Sequence, residues 1–306
     1  MVLKINLITH LFGNLGIKNK DMDNFIIFKP NDSNPGSFGS GFFSNYRIIL
    51  ESLILNDENM GGVPYVDWSE TAWVEGFNPF NGDVLVKNEN PFDYWFDQKI
   101  PTNTDVIHNP INQNRHTLIN HAYDYFYDIP NLEKQREINN KYLKIKQPIL
   151  DKIDEIYKNE LSGHTVLGVI ARGCEFFHHH PQYGNFTIYD YINSIKQILE
   201  KNTEITKLFL VSEDLNYIKL LKENFPNSYF IPNVFRRTDE TLDYMNRVFL
   251  WPNVDTKRPQ QNKLLGEETI IQTKLLGKCD YLFGMHSGVF AGAALWGEKI
   301  KQIYKL

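Results

Sequence analysis

The chain has 306 residues, 42% hydrophobic and 14% aromatic, with 32 basic against 37 acidic side chains and a net charge of −5. That is enough apolar material for two ordinary domains, and the charges are mixed, so no basic face marks nucleic acid or anionic lipid as a partner. Two cysteines, Cys174 and Cys279, are too few for a disulfide framework or a structural zinc site and fit a reducing compartment.

The opening MVLKINLITHLFG reads as a first strand in LKINLIT, without the long apolar segment or cleavage site of a secretory leader. No run reaches the roughly 18 uninterrupted apolar residues of a membrane span. Together these predict a cytoplasmic protein with no integral membrane segment. The glycine-rich PGSFGSG, with Gly39 and Gly41, precedes a helix in FFSNYRIILESLIL. A glycine turn entering a helix suits an anion, but this one has neither the lysine of a P-loop nor GxGxxG spacing, and a plain surface loop is the simpler reading.

VPYVDW reads as a strand. Trp68, Tyr94 and Trp95 then stand among carboxylates in VPYVDW and NPFDYWFDQ, a mix that suits sugar rings, although such aromatics more often fill a core. The helical pattern NLEKQREINNKYLKIKQPILDKIDEIYKNEL breaks near Pro148. A domain boundary close to Ser162 divides the chain into residues 1–161 and 162–306.

The second half alternates short β-rich runs with segments of helical period. TVLGVIAR is a strand, and the helix TIYDYINSIKQILEKN sets Ile188, Tyr191, Ile192, Ile195, Ile198 and Leu199 on one face. ITKLFLVS is the next strand, DLNYIKLLKENFP a helix opened by an Asp cap, and SYFIP a third strand. The helix EETIIQTKLLGK, the strand DYLFGM, the short helix GVFAGAALWG and a last strand in KIKQIYKL complete the alternation. Five strands alternating with helices predict an α/β fold with a doubly wound parallel sheet.

Ligands of such sheets sit beyond the carboxyl ends of the strands. There the first strand presents Arg172, Glu175 and the run His178 to His180; the next presents Ser212, Glu213 and Asp214; the fourth presents His286 and Ser287. Arg172 carries a fork of donors that can grip two phosphate oxygens. Its apolar strand leaves that charge partly desolvated, so it is either an anion clamp or one half of a structural pair with Glu175 or Asp280. The helix beginning SGVFAG leaves the amides of Ser287, Gly288 and Val289 at a positive dipole end that accommodates phosphate, the alternative being an ordinary capped helix whose small residues pack closely against the sheet. Three adjacent histidines cannot all face one ion from a regular strand, so a metal is not expected; a single base or phosphate contact ranks above it, and ordinary surface histidines are the simplest reading. VFRRTDE, with Arg236 and Arg237, reads as a solvated loop paired with Asp239 and Glu240 that could alternatively touch a diphosphate. A thiol enzyme built on Cys174 lacks a histidine in a recognisable motif.

In order and spacing these pieces resemble the fucosyltransferase superfamily of GT-B glycosyltransferases. IARGCE lies on the family's His-x-Arg-Arg-x-Asp strand end, with Arg172 at the first arginine and Glu175 at the aspartate; Ile170 replaces the histidine and Gly173 the second arginine. LFLVSED is similar to its second motif. EETIIQTKLLGKCDYLFGMHSGVFAGAA is similar to its third, with Gln272 where an aspartate is common. GSFGSG is similar to the family's GxxGN turn, with Ser40 in place of Asn.

The resemblance implies a GT-B-like fold of two Rossmann-like domains facing a cleft, the first on the acceptor side and the second binding the donor. It implies an inverting, metal-independent transfer from GDP-fucose to a glycan acceptor, with no other cofactor. Arg172, Glu175 and His180 are the expected catalytic residues, His178 being a further candidate base. Gly39, Gly41, Arg172, Ser212, Gln272, His286, Ser287, Gly288 and Val289 are the expected donor contacts. A transferase of the same fold using another nucleotide sugar, and a non-catalytic nucleotide- or carbohydrate-binding relative, are the alternatives.

Overall fold

The structure, a computed structural model, describes residues 25–29, 42–57, 62–69, 71, 73, 89–100, 106–110, 129–173, 186–236, 258–285 and 287–306. The first half holds β1 (Phe25–Lys29), α1 (Phe42–Asn56), β2 (Val63–Val66), α2 (Phe92–Trp95), β3 (Phe96–Asp97) and β4 (Val106–Pro110). β1 lies between β2 and β4 in a parallel sheet, Phe25 opposite Val63 on one side and Val106 on the other. Of these strands only β2 was predicted; the strand expected in LKINLIT lies outside the described residues.

α3 (Ile129–Tyr142) ends before Leu143, and the chain turns through β5 (Lys144–Ile145), antiparallel to β3, before α4 (Gln147–Ile156), which continues as a wider π turn to Leu161. The break therefore precedes Pro148, which sits in the first turn of α4, where a missing N–H leaves no helical bond unmade.

The second half is the predicted alternation: β6 (Val166–Ile170), α5 (Ile188–Lys201), β7 (Lys207–Val211), α6 (Leu215–Asn224), β8 (Ser228–Tyr229), α7 (Gln261–Gly277), β9 (Tyr281–Gly284), α8 (Gly288–Trp296) and β10 (Gln302–Lys305). The strands run parallel in the order β10-β9-β6-β7-β8. α7 begins at Gln261, a turn and a half before the predicted start at Glu267. α5 opens with a capping box in which Asp190 accepts the Thr187 amide at 2.7 Å, and its predicted apolar face is buried except for the half-buried Leu199.

Strand alternation sorts the sheet's two faces. Val166, Ile170, Phe209, Val211 and Leu282 share one core with Leu275, Leu276 and Phe290 of α7 and α8, while Leu167, Val169, Leu208, Leu210, Tyr281 and Phe283 share the other with α5 and α6. The sheet is thus covered on both faces, as double winding requires.

The first half packs on the α7–α8 side. A β-carbon at Gly292 would lie 2.5 Å from Phe43 Cε1, and one at Gly266 would overlap Trp95 Cζ2, so both glycines let aromatic rings rest on helix backbone. Trp95 Nε1 also donates to the Lys263 carbonyl at 2.8 Å. From α3, Arg136 donates Nε to Leu295 O at 3.1 Å and Nη2 to Ala294 O at 2.8 Å and to Gly297 O, placing a cation on the carbonyl end of α8. Trp68 and Trp95 are core residues with Phe42 and Trp73, not sugar platforms. Tyr94 is half-buried, its hydroxyl on Glu89 and its ring beneath the Lys263 ammonium.

Candidate functional site

The registers Ile170↔Val211 and Ile170↔Gly284 level the carboxyl ends of β6, β7 and β9, so the residues following them share one edge. A β-carbon at Gly284 would come 2.7 Å from the Ile170 carbonyl oxygen, which is why the strand ends closely abreast only with glycine there.

Arg172 follows β6, its amide donating to the Tyr191 hydroxyl of α5 at 3.1 Å. Tyr191 is fully buried, and that burial pushes its phenol up, so it stays neutral. The Arg172 side chain is 21% exposed and pairs with Glu213, 12% exposed, at 3.3 Å from Nε to Oε1. The contact is an ion pair. The same Oε1 accepts the Gly173 amide at 3.0 Å. The alternative pairing with Asp280 is not formed. Asp280 precedes β9 and, because β9 runs parallel to β6, lies at the opposite end of the sheet, where Oδ2 accepts the Val166 amide at 2.9 Å.

Gly173 stands where the resembling family has its second arginine. A β-carbon there would meet Asp214 Cβ and Oδ2 at 3.0 Å, and Asp214 is committed as the cap of α6, accepting from Asn216 N at 2.8 Å and Tyr217 N at 3.3 Å. A side chain at 173 therefore needs this cap to give by a few tenths of an ångström. Ser212 is buried, and its Oγ accepts the Asp214 amide at 3.1 Å, completing the turn.

Across the sheet, Ser287 caps α8, its Oγ accepting the Phe290 amide at 3.2 Å. Helix geometry leaves the Gly288 and Val289 amides without an intrahelical acceptor at the positive end of the dipole. Gln272, on α7, is buried and donates Nε2 to the Glu268 carbonyl at 3.2 Å. Glu268 ties α7 to its surroundings: it pairs with Arg258 at 2.6 and 3.2 Å and accepts the Phe235 amide at 3.3 Å. Arg236, beside Phe235, is 7% exposed, contrary to the expected solvated loop.

The structure therefore brings Arg172, Ser212, Ser287, Gly288 and Val289 to one edge, with Gln272 on the adjoining helix. Gly39, Gly41, Cys174, Glu175, His178 to His180, Arg237, Asp239, Glu240 and His286 lie outside the described residues. Among the described residues no cluster of His, Cys, Asp and Glu is placed to hold a metal ion, and no helix is long and apolar enough to cross a membrane. Sequence reasoning missed three features: Glu213 as the partner of Arg172, the Tyr191 hydroxyl under its amide, and the burial of Arg236. Only the first left a signal, an acidic residue at the neighbouring strand end.

No protein-family model and no curated protein matches the chain. Solved structures do. NodZ alpha-1,6-fucosyltransferase soaked with GDP-fucose aligns with a TM-score of 0.53 at 15% identity, covering 90% of this chain and 93% of its own. Fucosyltransferase NodZ from Bradyrhizobium aligns with a TM-score of 0.52 at 15% identity, covering 90% and 94%. The likeness spans both halves and establishes the fold as α/β, GT-B-like.

Proposed function

We propose that the chain is an inverting, metal-independent glycosyltransferase that moves fucose from GDP-fucose to a glycan acceptor. The observation that carries this reading is the likeness of fold to NodZ, a structure of which was soaked with GDP-fucose, together with the meeting of Arg172 and the α8 amides at adjoining strand ends. A glycosyltransferase leaving group is a diphosphate, and a guanidinium opposite a helix N-terminus is a chemical match for it.

In this reading Arg172 and the Gly288 and Val289 amides neutralise charge on the diphosphate as the fucose C1–O bond breaks. The acceptor oxygen bonds to C1 from the opposite face, inverting the centre, and its proton passes to Glu175 or His180. The arginine supplies charge that a divalent cation would otherwise provide. Ser212, His286 and Ser287 line the donor, Gly39 and Gly41 approach the diphosphate from the first domain, and Gln272 meets the nucleobase. Residues 1–161 take the acceptor and 162–306 the donor, in a cytoplasmic protein.

One observation favours a second reading. The Gln272 amide already donates within its own helix, whereas the resembling family has a carboxylate there, so a transferase with another nucleotide sugar is the alternative. Calorimetric titration of chelator-treated protein with GDP, GDP-fucose, UDP and ADP, repeated on Arg172→Ala, decides between them. GDP binding that weakens about ten- to a hundredfold in the variant supports the fucosyl reading; preference for UDP or ADP supports the alternative, and indifference to all four overturns both.

A further inference from the structure

At the end of β6 the main chain passes from sheet pairing to side-chain supports. The Ala171 amide still donates to the Val211 carbonyl of β7 at 2.9 Å. The Arg172 amide donates instead to the Tyr191 hydroxyl of α5 at 3.1 Å, and the Gly173 amide to Glu213 Oε1 at 3.0 Å. These supports differ in kind. Glu213 also pairs with the Arg172 guanidinium at 3.3 Å, so a phosphate that draws Arg172 must compete with it. Tyr191 is a neutral phenol and sets no charge against a phosphate.

The position of that hydroxyl is set by α5, α6 and β9. Tyr191 lies in the first turn of α5, which the Thr187–Asp190 capping box fixes. Its ring, 0% exposed, meets Tyr217 of α6 at 6.3 Å and Phe283 of β9 at 6.0 Å, both edge to face. A ring enclosed in this way holds its oxygen in one place. Phe283 is one residue short of the β9 end from which the chain leads to α8, so the same contact relates the level of Arg172 to that of the α8 amides. The two sides of the sheet are also divided. Ile170 packs in the core with α7 and α8 and Ala171 in the core with α5, so at Arg172 the alternation returns to the α7–α8 side, where the Gly288 and Val289 amides open. Tyr191 reaches Arg172 from the α5 side, and so holds its amide without entering the space in front of the α8 amides.

We propose that Tyr191 is a positioning residue whose hydroxyl fixes the Arg172 main chain, so that the guanidinium keeps its aim on a diphosphate when it leaves Glu213. This rests on the nucleotide-donor reading above and adds to it the residue through which the clamp stays in place. Glu213 holds the Arg172 side chain in the empty site, and a phosphate takes that contact over. The bond from the Arg172 amide to Tyr191 survives the exchange, because the amide is no partner of the phosphate in this arrangement. Tyr191→Phe keeps the ring and its packing and removes only the acceptor.

The test is calorimetry on the full chain with GDP and inorganic pyrophosphate, for wild type, Tyr191→Phe, Arg172→Ala and the double variant. Tyr191→Phe is expected to weaken both ligands about three- to tenfold. In the Arg172→Ala background the same change should alter GDP binding by less than about twofold, since the residue it acts through is gone. An equal loss in both backgrounds overturns the proposal, because a merely structural tyrosine acts whether or not Arg172 is present. Unchanged GDP binding in Tyr191→Phe, where Arg172→Ala weakens it, overturns this assignment alone. If wild type binds neither ligand, or Arg172→Ala binds GDP as wild type does, the donor reading itself has failed and this assignment with it. Should Tyr191→Phe fail to fold, hydrogen exchange on wild type still decides. The Arg172 amide is expected to exchange at least about tenfold more slowly than an open-loop amide, both without and with GDP, and loss of that protection when GDP binds overturns the proposal.

Discussion

Glu213 Oε1 lies 3.3 Å from Arg172 Nε and accepts the Gly173 amide at 3.0 Å, so a single carboxylate oxygen holds both the side chain and the backbone at the end of β6. The pair orients Arg172, and its negative charge competes with any phosphate that Arg172 receives. Glu213→Gln keeps the amide acceptor and removes the competing charge. GDP should bind about two- to tenfold more tightly in that variant at low salt, the gain shrinking as ionic strength rises. Weaker binding at every salt concentration would mean that orientation, rather than charge, is what Glu213 contributes.

The contact between Trp95 and Gly266 holds the two halves of the chain together. Gly266→Ala places a methyl inside the indole ring's present position and should destabilise the protein by about 1–3 kcal/mol in urea unfolding. Gly163, by contrast, has φ 81° with open space around it, so Gly163→Ala should cost only the conformational strain of about 1 kcal/mol. Equal costs at the two sites would show that Trp95 relaxes freely away from α7.

Asp57, just past α1, accepts from Lys141 Nζ and from the Tyr142 hydroxyl at 2.7 Å each, and from Lys134 Nζ at 3.3 Å, all on α3. Lys141, then Tyr142, then Lys134 hold its carboxyl at about 2. Because the folded value lies below the unfolded one, the stabilisation is fully present above the ordinary carboxylate range near pH 4 and is lost as pH falls toward about 2. Thermal midpoints of wild type and Asp57→Asn should therefore converge on acidification through that window; a gap that stays constant would contradict the assignment.

Cys279 is 1% exposed, with its Sγ on the Leu275 carbonyl at 3.3 Å and the strand residue Gly168 directly opposite. Burial pushes its thiol well above the ordinary range, so the nucleophilic thiolate is suppressed. In native Cys174→Ser protein a thiol reagent should leave Cys279 unmodified over hours at pH 8 and label it promptly in denaturant. Prompt labelling without denaturant would show that the α7–β9 corner opens.

The second sheet was legible in the chain because each of its elements carries its own signal. β6, β7 and β9 are short apolar runs, α5 has a 3.6-residue stripe, and Asp214 caps α6 where the periodicity begins. The strand-end rule then brought Arg172, Ser212 and Ser287 to one edge, which the registers around Ile170 reproduce. In the first sheet, β1 and β4 were not legible. FIIFK is an apolar run without a periodic neighbour, and VIHNP is half polar and ends in proline; each is a strand by virtue of its partners.

Charge partners followed the same division. Arg172 pairs with Glu213 rather than Asp280 because β9 runs parallel to β6, and parallel pairing sends the residue before one strand and the residue after the other to opposite ends of the sheet. Arg236 sits in a sequence as polar as any solvated loop, yet the packing of that segment against α7 buries it. Local pattern specifies which segments form helix or strand, because periodicity and caps act within a few residues. Partnership and burial depend on which segments end up adjacent, and that is settled by contacts between residues far apart in the chain.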